Sequence, residues 1–276
     1  MIKIKINKPF KLDDTITCGQ IFRFFKMEDG SFDIILKDRV INVYVKDGYL
    51  CISSNVEENL EEVVKKYFDL DNDYNEMEQF LLKQDKKLKN AIDFSSGMMM
   101  IRQDPFETII EYIISANNGV PQIASALNNI AKAYGKKVLF NDKEYYLFPG
   151  YEDLKDVSVQ DLRNCKVGFR DKYIKAILDK LNNNEFDLNI FYELDTKNAL
   201  DKLMENIGIG PKVASCILLF AYQKYDVFPI DTWVKKIMEK DYGIKGEANI
   251  RKFAKKTYGK YSGIAIQYLF NYSRNC

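Results

Sequence analysis

The stretch NALDKLMENIGIGPKVASCILLFAYQKYDVFPIDTWVKKIM, residues 198–238, decides the fold of this chain. Leu200, Leu203 and Met204 give a first helix its buried stripe. Gly208-Ile209-Gly210-Pro211 then reads as a hairpin too tight for side chains at its two glycines. A second helix begins at Pro211 or Lys212, and a third follows the loop that ends at Asp231. The first amides of the second helix have no partner within it. Hairpin and helix N-terminus together therefore offer free N–H groups and a positive dipole, which lets backbone alone grip a phosphate without reading sequence. Taken by itself, a Gly-x-Gly between helices is more often only a tight turn.

Lys212 lies in the first turn of that second helix, where the dipole disfavours an ammonium and so favours the neutral amine that a nucleophile needs. Cys216, four residues on, shares its helical face. Asp231 can cap the third helix and still project a carboxylate; on its own it reads as a cap.

Upstream of this region the pattern changes. Residues 2–6, 21–25, 32–36, 40–45 and 49–53 are short, alternating or β-branched, and the turn pairs Asp29-Gly30 and Asp47-Gly48 favour hairpins, so an antiparallel meander is expected. From Val56 the spacing becomes helical, with a further helical run from Tyr74 to Lys83; these two helices can cover one face of the sheet. After Gly97, Asp104 reads as an N-cap, Pro105 as a first-turn proline, Glu107 as a capping-box acid and Asn118-Gly119 as a helix stop. Another helix opens at Pro121, and the remainder to residue 274 is read as nearly all helical. The expected fold is α+β: an N-terminal antiparallel β-sheet domain with covering helices at 1–96, then a mostly α-helical domain with the helix-hairpin-helix at 97–276. A cleft between two helical subdomains would receive a ligand.

Composition narrows the chemistry. Histidine is absent, which removes His-based triads, imidazole acid–base catalysis and most transition-metal sites. The five cysteines are scattered without disulfide or zinc spacing, so a reducing, cytoplasmic setting and no required metal are expected. No run approaches the roughly 20 apolar residues of a membrane span. Net charge is only +1, but residues 201–276 hold 13 Lys+Arg against 7 Asp+Glu, leaving 28 against 33 in the first 200. A solvated helical face is the commoner cause of such an excess, so it supports nucleic-acid binding only weakly.

Four segments carry a resemblance. Gly208-Ile209-Gly210-Pro211-Lys212 through Cys216 with Phe228-Pro229-Ile230-Asp231, GMMMIRQDPFETIIEYIISANNG at 97–119, VGFRDKY at 167–173 and TCGQIFRF at 17–24 resemble, in order, the 8-oxoguanine DNA glycosylase/lyases of the helix-hairpin-helix glycosylase superfamily. That resemblance implies base excision by Lys212 through a Schiff base and strand nicking by β-elimination, with Asp231 stabilising positive charge on the sugar. It implies Gly19 as the carbonyl that reads the lesion, and Cys216 and Phe270 as the walls around the extruded base. Asn117, Phe169 and Arg170 would fill the gap and hold the orphaned cytosine, and Gly208 and Gly210 would face phosphate. Read without it, Gly19 is a strand-edge turn, Phe270 core, Phe169 loop packing and Asn117 a helix C-cap.

Two positions depart from the family pattern. Gln122 stands where a second arginine meets the opposite cytosine, which implies relaxed opposite-base preference, and Trp233 stands where a histidine often nears a phosphate. Duplex DNA containing 8-oxoguanine is the implied partner of a monomer with no membrane contact, nucleoid-associated in a prokaryote. No cofactor is required, and a monovalent cation at the hairpin is an optional extra. An alkylated-base glycosylase would lack Lys212, and an adenine or thymine-glycol enzyme would carry a four-cysteine cluster. A non-catalytic DNA-binding module would need neither Lys212 nor Asp231.

Overall fold

The computed structural model describes residues 1–276. Strands β1 (Ile2–Lys5), β2 (Phe24–Lys26), β3 (Phe32–Ile35), β4 (Val40–Lys46) and β5 (Tyr49–Ser54) form one antiparallel sheet in the order β1-β5-β4-β3-β2. Asp47 and Gly48 both have positive φ, 52° and 76°, the turn whose twist matches the strands it joins, and it sets Lys46 opposite Tyr49. β1 returns to the free edge of β5, with Ile2 opposite Ile52.

A short helix, α1 (Leu12–Thr17), precedes β2, and the first three residues of the strand expected at 21–25 are not in it. Pairing begins only at Phe24, opposite Ile34. Gly19 has φ +89°, and Gln20 and Arg23 are buried polar residues whose groups are satisfied through side-chain bonds instead of a ladder.

One face of the sheet packs Phe32, Ile34, Ile41, Val43 and Ile52 against Leu12 and Ile16 of α1 and Leu60 and Val64 of α2 (Leu60–Tyr67). The second expected covering helix goes elsewhere. Met77 and Leu81 of α3 (Tyr74–Gln84) and Ile92 of α4 (Lys89–Ser95) join the large helical core. The remaining helices are α5 (Pro105–Ser115), α6 (Val120–Tyr134), α7 (Val159–Asn164), α8 (Asp171–Asn182), α9 (Ile190–Glu193), α10 (Thr196–Met204), α11 (Pro211–Tyr222), α12 (Thr232–Tyr242), α13 (Glu247–Thr257) and α14 (Ser262–Asn275). α4 packs along α14, so the chain's last helix is clamped by a segment close to the sheet.

The later region is not wholly helical either. β6 (Lys137–Phe140) and β7 (Lys143–Tyr146) form a hairpin turned by Asn141 and Asp142, both at positive φ. Phe140, Tyr145 and Leu147 pack on Ile35 and Val40 of the sheet, and the Tyr145 hydroxyl bonds the Asp33 carboxylate. β3 is thereby buried on both faces, which explains the unbroken apolar character of Ile34-Ile35-Leu36.

Asp104 caps α5 as expected, accepting from the amides of Phe106 and Glu107 at 3.1 Å each. Glu107 does not close a capping box. Its carboxylate turns inward to Arg23 at 2.8 Å, tying the segment before β2 to the helical domain.

Candidate active site

Every residue of α11 from Val213 to Tyr222 is buried, because the helix packs between α5 and α10. Its N-terminus is therefore held in place, with Gly210 as N-cap and Pro211 in the first turn. Lys212, half-buried, donates to Ser115 Oγ at 3.3 Å and lies 5.3 Å from the centre of the Tyr112 ring. Tyr112 is stacked on Phe220 at 5.5 Å, which fixes the ring under the amine.

A cleft of about 1100 Å³ opens here. Lys212, Cys216, Asp231, Gly19, Phe270, Asn117, Gln122 and Trp233 all line it, although they come from five separated stretches of sequence. Cys216 is 4% exposed, and burial pushes its thiol up against the pull of adjacent Lys212 and with the push of Asp231. It stays a neutral thiol, suited to a wall and unsuited to nucleophilic attack.

Asp231 caps α12, accepting from the Val234 amide at 2.8 Å. One carboxylate thus serves the helix and the cleft together. Lys212 and Asp231 line the same space without an N···O approach within 4.0 Å. Each remains available to a third group placed between them.

Gly19 is braced from several sides. Gln20 Nε2 donates to the carbonyls of Thr15 (3.0 Å) and Met99 (2.7 Å), and its Oε1 accepts from the Ile101 amide at 2.9 Å. Gln103 Nε2 and the Tyr112 hydroxyl donate to the Gln20 carbonyl, and Gln267 Nε2 donates to that of Cys18 at 3.3 Å. A β-carbon at Gly19 would lie 3.2 Å from Arg274 Nη1 and 3.7 Å from the Phe270 ring, at a φ that L side chains rarely adopt. A bare backbone edge beside Phe270 is what the fold maintains.

Of the expected gap-filling group, Asn117 lines the cleft, and Phe169 and Arg170 do not. Asn117 is exposed at φ 51°, and Phe169 is 56% exposed with Arg170 4.4 Å over its ring. Arg170 is itself only 5% exposed. It donates to the carbonyls of Ala116, Asn117 (3.0 Å) and Val167 (3.1 Å), so here it braces the loop that presents Asn117.

The two hairpin glycines differ. A β-carbon at Gly208 would strike the Tyr173 ring at 2.5 Å, and φ is +88°. Gly210 has φ −89° and open space around it, so turn geometry does not force a glycine there as the sequence suggested. Trp233 is half exposed with Lys236 5.3 Å over its ring.

Sequence reasoning missed Tyr112, Ser115 and Arg274, which also line the cleft. Tyr112 and Ser115 are three apart on α5, a spacing that puts them on one face, but only the packing of α5 on α11 reveals what that face meets.

Comparison with known proteins places the chain. Residues 1–109 match the model of the 8-oxoguanine DNA glycosylase N-terminal domain, and residues 110–260 match that of the HhH-GPD superfamily base excision DNA repair protein. A probable N-glycosylase/DNA lyase of Methanothermobacter thermautotrophicus is 32% identical over 240 residues, 79% of this chain and 76% of that one. The apo form of the Clostridium acetobutylicum 8-oxoguanine glycosylase/lyase superposes with a TM-score of 0.93 at 39% identity, covering 98% of this chain and 95% of that one. The same enzyme bound to double-stranded DNA with cytosine opposite 8-oxoG gives 0.93 at 37%, covering 100% and 98%. With both halves matched by family models and its full length by solved structures, the chain belongs to the 8-oxoguanine DNA glycosylase family of helix-hairpin-helix base excision repair proteins.

Proposed function

We propose that this protein excises 8-oxoguanine from duplex DNA and nicks the strand at the same nucleotide. The observation that carries this reading is the Lys212 amine and Asp231 carboxylate facing one cleft, unpaired with each other, beside the bare backbone of Gly19.

The Lys212 Nζ lone pair attacks the sugar C1′ as the bond to the base breaks, and the base departs with that electron pair and takes up a proton. Asp231 stabilises the positive charge that develops on the sugar. Proton loss and ring opening leave a Schiff base, and removal of a C2′ proton expels the 3′ phosphate. The lesion carries a proton on N7 where guanine has a lone pair, so the Gly19 carbonyl accepts from the first and repels the second. Cys216 and Phe270 hold the extruded base between them. Phe169 and Asn117 fill the vacated stack, since unstacking costs a few kcal/mol. Arg170 reaches the orphaned cytosine by turning away from the loop carbonyls it now binds.

The hairpin binds phosphate through the free amides at the start of α11, and Gly210 leaves room for a close approach. The carbonyls of Ile207, Gly208 and Ile209 accept no backbone bond, so a monovalent cation fits there as an optional support that supplies no chemistry. Gln122 both donates and accepts, so it meets any opposite base and relaxes the preference for cytosine. The Trp233 indole offers a single N–H donor and no charge to a phosphate. The protein acts as a monomer on DNA in the cytoplasm or nucleoid; no helix is long and apolar enough to cross a membrane.

Borohydride trapping on an 8-oxoguanine duplex tests the chemistry: a covalent adduct that Lys212→Gln removes is expected, and no adduct from the intact protein would refute the lyase step. Single-turnover rates opposite the four bases test Gln122. Rates within about ten-fold of one another are expected, and a strict cytosine requirement, worth roughly 1–3 kcal/mol per lost contact elsewhere, would refute it.

A further inference from the structure

A second cavity, of about 470 Å³, lies in the seam between the sheet and α5 and shares no lining residue with the catalytic cleft. Ile21, Ile35, Leu36 and Val63 give it apolar walls, and Glu111 forms part of its lining. Glu111 is 2% exposed and makes no hydrogen bond or ion pair, and its Oε2 is the one buried side-chain nitrogen or oxygen in the protein without a partner. Leaving such a group unsatisfied costs about 1–3 kcal/mol, and more when it is charged.

The surrounding charges are already matched. Arg23, the cation facing Glu111 from the segment before β2, is bound to Glu107 at 2.8 Å. At the mouth, Lys37 is bound to Asp104 at 2.8 Å and Arg102 is paired with Asp69, which leaves only Lys66 without a carboxylate. The nearest charges to Glu111 are therefore Glu107 and Asp104 against the single Arg23, and the Tyr67 phenol of α2 also lies in its field. No group of three ligating side chains is present to hold a metal ion.

We propose that this cavity is a binding site for a small organic cation, an amidinium or guanidinium whose paired N–H groups meet the Glu111 carboxylate and whose apolar body lies against Ile21, Ile35 and Leu36. A planar cation with two parallel donors satisfies both oxygens of a carboxylate at once. A water molecule would satisfy the hydrogen bonds but leave the apolar walls wet and, once Glu111 ionises, its charge unmatched. Burial and the neighbouring Glu107 and Asp104 carboxylates push Glu111 well above the usual carboxylate range, with Arg23 opposing, so a proton competes with the ligand. Binding strengthens as pH rises. The proposal is independent of the glycosylase reading.

The test is a calorimetric titration of the full chain with benzamidine, a cation throughout the range, and with benzamide, its neutral isostere, from about pH 6 to about pH 8.5. Benzamidine is expected to bind at one site, with affinity rising by up to about ten-fold per pH unit while Glu111 gives up its proton. Benzamide is expected not to bind. Glu111→Gln removes the negative charge and replaces one acceptor oxygen with a donor, Val63→Trp fills the space, and either is expected to abolish binding. Duplex DNA is expected not to compete. Absence of binding, equal binding of benzamide, binding that survives in folded Glu111→Gln, or displacement by DNA, which would put the cation at Asp231, each overturns the proposal.

Discussion

In the catalytic cleft Lys212 is half-buried and has one hydrogen-bond partner, Ser115. In the seam, Arg23 is 3% exposed and donates to Glu107, to Asn128 and to the Tyr146 carbonyl. Both are cations beside a carboxylate, Asp231 in one case and Glu107 in the other, yet only the second pair is closed. A group that acts on substrate has to be left underbonded, because a partner already in place would be lost before any reaction began. The cleft tolerates this because its surroundings are fully bonded: Gln20 and Tyr112 spend their polar groups holding backbone.

Substitutions that exploit this contrast should separate activity from stability. The largest effect is expected from Lys212→Gln, which should remove the borohydride adduct and slow excision by at least about 10⁴-fold while the melting temperature stays near that of the parent. Next comes the seam. Arg23→Ala strands a buried carboxylate at Glu107 and should cost about 3–5 kcal/mol in denaturant unfolding, and a loss below about 1 kcal/mol would show the closed pair to be dispensable. Asp231→Asn should lower single-turnover excision by about 10²–10³-fold with little change in stability, because asparagine caps a helix as well as aspartate does.

The smallest effect is a pH dependence. Folded Glu111, raised by burial and by Glu107, keeps a proton that the unfolded chain releases above its ordinary value of 4.5. Its contribution is therefore present at low pH and is lost as pH rises toward the folded value, at up to about 1.4 kcal/mol per pH unit, with Glu107 acting in the same direction. Glu111→Gln should flatten that part of the stability profile. An unchanged slope would show that the seam does not hold Glu111 protonated.

Much of the site was legible because its signals are local. A glycine hairpin followed by Pro211-Lys212, Cys216 one turn on, and Asp231 bonding an amide three residues ahead are all relationships within a few residues. The Asp47-Gly48 turn and the register it sets belong to the same class. The Asn141-Asp142 turn is a local signal of the same kind, lying between α6 and α7.

Other features have no local signature. Glu107 has capping-box spacing but turns to Arg23, 84 residues away, because burial rewards a charged partner more than an exposed amide does. Arg170 has the residue type of a base donor, and only the fold shows that it also braces the loop through the Ala116 and Asn117 carbonyls. α3 carries an apolar face that fits the sheet as well as the helical core, and only the assembled fold shows that it joins the core, with the Tyr268 hydroxyl of α14 donating to its Glu78. By itself, the sequence determined most of the elements, the hairpin, and the places of Lys212 and Asp231 at two helix starts, since each depends on backbone geometry over one or two turns. Only the tertiary structure decided which side chains close on one another and which stay open, since that depends on how distant segments share the limited buried space.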